Sequence, residues 1–528
     1  MKLEIYRQIS ERAEHYSAVG NWAAARSEWL LALPISPDGC EVMLEISYVE
    51  SLAGNYRQAR DWALRAADPG PCSSEGAISL VRRLRTFNEL RCLCLKAGDY
   101  LDDKLAPAAV LVECARQLSI LNAYQPALEC AEAAVGRAPA DPSARLVRGQ
   151  LLAQYGKFDQ AVQEFEWVLQ RYPRSALAWW LLARIRKQTM AANHVPHLRA
   201  IIQAPGVPPD DKALIARALH KELDDIGDFD GAWQALQIMC DARRRTESYD
   251  MAEFGKLVDA LIDWSPLAGS QASAPVDGKT PVFIVGMYRS GTTLVEQLLD
   301  GSEEVGGLGE LNDFSSAMRH STDHYSKDVL DRAMLHHASG LDMSVLGQRY
   351  LESVECRLRG ERFFTDKLPV NFLNIGFICH ALPQAKIVHM VRDPMETCFS
   401  NLRELFTGIN AYSYDQAELA GYFIQYRRLM THWHAAYPGR ILDVDYAELT
   451  RDPEAVMRKV AAFCGIDYTD AMCDPRSSTR AVATASAVQV RDRVVRREVP
   501  KWAPYAKHLQ PLIAALRQGG VEIPELPA

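Results

Sequence analysis

Residues 281–294, PVFIVGMYRSGTTL, combine an apolar strand with a turn built to hold an anion. The run at 282–285 reads as a strand buried on both faces, and from Gly286 the chain fits G-x-x-x-x-G-T-T. Gly286 and Gly291 let the backbone fold around an anion with its N–H groups inward. The positive end of a helix starting near Thr293 adds to that field. A nucleotide triphosphatase places Lys after the second glycine to reach the β- and γ-phosphates, then a hydroxyl for Mg²⁺. Here Thr292 occupies the Lys position, and the cation of the loop is Arg289. The loop suits a 5′-phosphate bearing a terminal anionic group, held without metal; the alternative is a strained structural turn.

A second cluster lies in KIVHMVRDPMETCFSNL, residues 386–402. A buried strand ends at Val391, Arg392 leaves it, Pro394 starts a helix, and Ser400 sits on that helix. An Arg at a strand end and a hydroxyl on the next helix can converge on one phosphate, the Arg giving paired donors. The alternative is a surface ion pair of Arg392 with Asp393 and a solvated Ser400.

The elements that must position these groups are legible. Short apolar runs at 282–285, 362–365, 386–391 and 440–444 alternate with amphipathic segments near 293–301, 372–380, 395–405, 416–436 and 453–464. Such alternation predicts an α/β domain at 281–528, with a parallel sheet covered by helices on both faces and a ligand at the carboxyl ends of its strands. Residues 263–280, rich in Pro, Gly, Ala and Ser, read as a linker.

The first half repeats with a 34-residue period. Trp22 and Tyr56, Ala25 and Ala59, Ala32 and Ala66, and Pro37 and Pro71 are each 34 apart. So are Tyr124 and Phe158, Ala127 and Ala161, and Pro139 and Pro173. Gly-x-aromatic in the turn, Ala at helix contacts and Pro closing the second helix resemble the tetratricopeptide repeat. Weaker units are expected at Gly98-Asp99-Tyr100 and Gly227-Asp228-Phe229. Residues 1–262 thus read as an all-α solenoid of about six to seven helix pairs sharing one core.

The pair GMYRSGTTL and VRDPMETCFSN, in this order and at this separation, resembles the two cofactor motifs of sulfotransferases that use 3′-phosphoadenosine-5′-phosphosulfate. The likeness spans residues 281 to about 512 and is greatest to tetratricopeptide-linked bacterial sulfotransferases and tyrosylprotein sulfotransferases. It implies a P-loop-like fold in which Arg289, Ser290, Gly291, Thr292 and Thr293 hold the 5′-phosphosulfate while Arg392 and Ser400 hold the 3′-phosphate. Glu310, 21 residues after Arg289, falls where the tyrosylprotein branch has its catalytic Glu. Lys367 matches the lysine beside the sulfate, its alternative being an ion pair with Asp366. Ser486 and Lys501 match cofactor contacts, and Tyr446 a tyrosine near the adenine, its alternative being a core position. Residues 475–501 carry seven Arg or Lys against two acidic residues, a basic run that reads as a lid over the phosphates or as a solvated arm. Asn312 stands where the tyrosylprotein branch has Arg, and Glu404 where it has another, with Arg403 one residue early. The first departure bears on acceptor binding, and the second suggests a shifted 3′-phosphate contact.

The resemblance implies transfer of a sulfuryl group from that donor to an acceptor hydroxyl, leaving adenosine 3′,5′-bisphosphate and needing no metal. Glu310 would take the proton, while Arg289, Lys367 and Ser486 stabilise the transferring group. A solenoid favours a tyrosine in a peptide or protein as acceptor, over a carbohydrate or small-molecule hydroxyl. Such repeats also serve oligomerisation, a homodimer being the simplest case. The rival classes are an ATP–Mg²⁺ phosphotransferase and a non-enzymatic scaffold with a decayed transferase half. With 528 residues, 48% hydrophobic and 24% charged, the chain has an ordinary globular composition. Its formal net charge of −8 argues against a nucleic-acid surface. Twelve cysteines with no C-x-x-C pair read as small buried hydrophobes in a reducing compartment, hence cytoplasm. Neither an export signal nor a membrane span is expected.

Overall fold

The computed structural model describes residues 2–68, 72–264, 278–406, 408, 410–477, 480 and 499–524. Among these, fifteen α-helices run between Lys2 and Asp263, forming the expected tetratricopeptide-like half. The repeat turns need a left-handed residue, which Gly20, Gly54 and Gly156 supply at φ of 75°, 85° and 76°. Asn122 takes the same conformation at φ 60°, as Asn can. Ala25, Ala59, Ala127 and Ala161 are fully buried, because only a methyl fits where the paired helices approach.

Two expectations are corrected in this half. Gly98-Asp99-Tyr100 is not a turn but lies inside the helix Leu90–Asp102, and the turn of that unit is at Asn88, φ 61°. The cysteines are not all unpaired, since Cys40 and Cys72 form a disulfide. Asp38 brings them together: it caps the helix Gly39–Leu52 through Glu41 N (3.1 Å) and accepts Ser73 N–H from the next repeat (2.9 Å). The remaining ten form no disulfide, and six of them are buried. No described helix is long and apolar enough to cross a membrane.

The second half contains five parallel strands: β1 Thr280–Gly286, β2 Val305–Gly307, β3 Phe363–Asp366, β4 Lys386–Val391 and β5 Ile441–Asp445. Their order is β2-β3-β1-β4-β5. β1 is central, pairing Val282 with Thr365 of β3 on one side and Ile284 with Val388 of β4 on the other. It is buried on both faces: Val282 and Ile284 join Leu294, Val295, Leu298, Val388 and Met457 in one core, while Phe283 and Val285 are buried opposite. The three-residue β2 was not expected from the sequence.

The fold divides into two compact units, Met1–Leu151 with Leu311–Cys356, and Leu152–Glu310 with Arg357–Ala528. In the first, the segment inserted between β2 and β3 packs on the early repeats: Ser316 Oγ lies 3.1 Å from Phe87 O, and Arg57 N–H donates to Asp323 (2.8 Å). In the second, later helices pack on the sheet's own helices. Phe254 stacks on Tyr422 at 4.4 Å, and Arg428 pairs with Asp259 at 2.6 Å. The helices after Leu151 therefore share a unit with the sheet.

Candidate active site

Because every strand of the sheet runs the same way, all five carboxyl ends fall on one edge. The loop after β1 carries Arg289, that after β2 Glu310, that after β3 Lys367, that after β4 Arg392, and β5 leads into Tyr446. The tertiary structure so collects, at one edge, residues spread over more than 150 positions of sequence.

The loop after β1 is held by close packing. A Cβ on Gly286, φ 149°, would lie 2.8 Å from Met390 O, and one on Gly291, φ 108°, would lie 2.4 Å from the Tyr446 ring. Gly291 caps the helix Thr292–Leu299, whose first-turn N–H groups face the loop. Ser290, Thr292 and Thr293 are buried, and Ser290 Oγ has no hydrogen-bond partner among the described residues. Arg289 sits at φ 68°, a conformation that costs energy in a non-glycine residue and clusters at ligand sites. An orphaned buried hydroxyl, two glycines whose places admit no side chain and a helix N-terminus together fit the phosphosulfate end of the expected cofactor.

Arg392 is built in from three sides. Nη1 donates to Arg289 O (3.0 Å), Nη2 to Glu396 Oε2 (2.7 Å), and Cζ stands 4.4 Å from the centre of the Tyr446 ring. Glu396 lies one turn before the buried Ser400 on the helix Pro394–Leu402, which Asp393 caps. Its other oxygen accepts Lys501 N–H at 2.5 Å, bringing the carboxy-terminal segment to the same cluster. Arg392 pairs with Glu396 rather than standing in a simple surface pair with Asp393. Arg403 is engaged by Asp224 at 3.6 Å.

Lys367 has a side chain that is 0% exposed and donates to Glu310 Oε1 across 2.6 Å. The loop bearing Glu310 is stapled from behind by Glu296, a buried residue of the helix Thr292–Leu299 that sequence reasoning missed. Its Oε1 accepts Gly309 N–H (2.8 Å) and the Thr365 hydroxyl (2.9 Å), while Lys367 N–H donates to Gly309 O (2.9 Å). No motif marks Glu296; a lone carboxylate within the helix Thr292–Leu299 was the available signal. Burial, and then the charge of Glu310, push the Tyr288 phenol above its ordinary range. Ser486 and most of the basic run lie outside the described residues.

His389, His434 and Asp443 form a separate hydrogen-bonded group, with His389 Nδ1 and His434 Nε2 at 2.8 and 2.9 Å from Asp443 Oδ1. They lie on β4, the helix Gln416–Ala436 and β5, away from the strand-end loops.

Residues 281–470 match the model of the sulfotransferase family, and residues 142–185 match that of the tetratricopeptide repeat. An uncharacterized protein of Aquifex aeolicus (strain VF5) is 31% identical over 342 residues, 62% of this chain and 45% of that protein. Protein-tyrosine sulfotransferase 2 of Gallus gallus is 26% identical over 204 residues, 36% of this chain and 52% of that protein. The chain spans about half the length of these curated relatives. Among solved structures, the sulfotransferase domain from the Synechococcus PCC 7002 olefin synthase aligns with 48% of this chain and 100% of its own, at 18% identity and a TM-score of 0.30. Arg289, Glu310, Lys367, Arg392 and Tyr446 thus stand in the segment, residues 281–470, that matches the sulfotransferase family model and follows helices that include a match to the tetratricopeptide repeat.

Proposed function

We propose that this chain transfers a sulfuryl group from 3′-phosphoadenosine-5′-phosphosulfate to an acceptor hydroxyl, that of a tyrosine in a peptide or protein. The observation that carries the reading is the Glu310–Lys367 pair, set on the same sheet edge as an anion loop and an Arg392 cluster. The Gallus gallus relative, named as a protein-tyrosine sulfotransferase, supports the choice of tyrosine.

The donor, when bound, supplies an activated sulfuryl group. The loop at Arg289–Thr293 would hold its 5′-phosphosulfate, and Arg392 with Ser400 its 3′-phosphate. Ser486 and Lys501 complete the proposed contacts, and Tyr446 borders the adenine. Glu310 accepts the proton of the acceptor hydroxyl at its carboxylate oxygen. Lys367, buried beside it, and Arg289 stabilise negative charge that builds on oxygen during a loose in-line displacement. Repeats of the helical half would hold the acceptor segment, raising its local concentration. Thr292 stands where an ATP–Mg²⁺ enzyme has its phosphate-binding lysine, so the reading is of a donor held without a divalent ion.

The test is incubation of the full chain with ³⁵S-labelled donor and a peptide library containing tyrosine, in EDTA. Label on tyrosine, with binding of adenosine 3′,5′-bisphosphate but not of ATP–Mg²⁺, is the expected result. Label confined to carbohydrate or small molecules would refute the acceptor, and preference for ATP–Mg²⁺ would refute the donor.

A further inference from the structure

We infer that Arg217, on the tetratricopeptide-like helix Pro209–Asp225, is a ligand-binding residue of the transferase site, its guanidinium taking an oxyanion of the donor or of the group being transferred. This rests on the proposed sulfuryl transfer and adds to it a residue from the helical half.

The Arg217 side chain is only 6% exposed, yet its hydrogen bonds are not made within the described residues. Nη2 stands 4.0 Å from Glu404 Oε2, at the limit of an ion pair, and Cζ lies 4.7 Å from the centre of the Trp180 ring. Nε and Nη1 are buried with no hydrogen-bond partner among the described residues. A guanidinium carries five N–H donors in a rigid fork, and burying it with the fork empty is costly unless something binds there. Burial lowers its pKa to about 10, which still leaves it a cation at neutral pH.

Its position is at the cofactor motifs. Glu404 follows the helix Pro394–Leu402 that carries Ser400, and the charge of Glu404 acts on both Arg217 and Arg289. Beside them Arg403 is 3.6 Å from Asp224, which also accepts the Tyr505 hydroxyl at 2.5 Å. Two carboxylates, Glu404 beside Arg217 and Asp224 beside Arg403, thus serve at least three cations, since the charge of Glu404 also acts on Arg289. The local surplus is positive, and Arg217 presents both Nε and Nη1 with no hydrogen-bond partner among the described residues. A sulfate or phosphate oxyanion, like a carboxylate, matches a planar fork with paired hydrogen bonds.

Arg217→Met keeps an unbranched apolar stem but removes the charge and donors, while Glu404 keeps Arg289 and Arg403 as charged neighbours. The full chain and this variant are compared by thermal unfolding without ligand and by calorimetric titration with adenosine 3′,5′-bisphosphate and, separately, sodium sulfate. We expect the free variant to melt no lower than wild type, and affinity to fall by about tenfold or more for at least one probe. Loss with the nucleotide assigns a donor phosphate; loss with sulfate alone assigns the transferred group. Unchanged affinity for both overturns the inference. If the variant melts lower, Arg217→Lys decides: restored stability with affinity still reduced supports ligand binding, whereas restored affinity together with stability makes the role structural and overturns it. Wild type that binds sulfate but not the nucleotide refutes the donor while leaving the sulfate comparison to judge Arg217. Wild type that binds neither probe overturns both.

Discussion

Lys367 Nζ donates to Glu310 Oε1 across 2.6 Å, joining residues 57 apart in the chain at the ends of neighbouring strands. The two are unequally placed, with Lys367 0% and Glu310 37% exposed, so only the lysine depends on the pair for its burial. Glu310→Gln keeps the shape and an oxygen for Lys367 but cannot accept a proton. We expect kcat to fall by about 10² to 10⁴ with affinity for adenosine 3′,5′-bisphosphate nearly unchanged. Steady-state kinetics and calorimetry check this, and full activity would place the base elsewhere. Lys367→Met leaves Glu310 open to water, so the fold should survive while kcat drops by about 10² to 10³.

Glu296 should act as a positioning residue. Its Oε1 accepts from Gly309 N–H and the Thr365 hydroxyl, and Glu296→Ala strands both donors at a cost of about 1–3 kcal/mol each. The Glu310 loop would then lose its hold, lowering kcat along with the urea midpoint. Glu296→Gln retains a carbonyl oxygen and should recover most of both. A Gln variant as impaired as the Ala variant would show that the charge, not the acceptor geometry, matters.

Arg392→Ala should weaken adenosine 3′,5′-bisphosphate binding by about 1.5–3 kcal/mol, the range for hydrogen bonds to charged groups. Arg289→Ala should do the same from the other side of the loop. Arg392→Lys should not restore affinity, because a single ammonium cannot serve Arg289 O and Glu396 while stacking on Tyr446. Calorimetry on the three variants decides, and unchanged affinity in both alanine variants would remove the cofactor assignment.

Acid should destabilise the second unit through His220. This ring is 0% exposed with Nδ1 2.9 Å from Ala232 O, and burial, followed by the charges of Arg217 and Arg403, holds its pKa below the ordinary histidine value, with Asp224 opposing. The unfolded chain takes up a proton as pH falls below about 6.5 while the folded chain does not, so the proton favours unfolding. Stability should drop below that pH by up to about 1.4 kcal/mol per unit for this one group. His194 runs the other way, its pKa raised by the hydrogen bond to Glu222, so its contribution is present at low pH and lost as pH rises. Urea unfolding from pH 7 to 4, on wild type and His220→Gln, should show a shallower acid slope in the variant.

Much of the edge-of-sheet chemistry was legible because it is written locally. Gly286, Arg289 and Thr292 lie within one turn, and Arg392 and Ser400 within one strand–helix junction, so spacing alone relates them. The strands at 282–285 and 386–391 were readable for the same reason: a parallel strand buried on both faces is a continuous apolar run. β2 was not, since three residues, Val305–Gly307, are too few to show a period. Gly98 misled because a Gly-x-aromatic triplet also fits inside a helix, as Leu90–Asp102 shows.

By itself the sequence determined the order of elements, helical repeats and then alternating strands and helices, together with the residue types of an anion loop and its partner arginine. These follow from hydrophobic period, turn residues and short-range spacing, all properties of neighbouring residues. Only the tertiary structure decided that Glu310 meets Lys367, that Glu296 holds the loop between them, that Asp38 draws Cys40 to Cys72, and that Arg217 stands beside Glu404. Such contacts join side chains tens to hundreds of residues apart. They are set by strand order and by which helix faces pack together, and no local pattern encodes either.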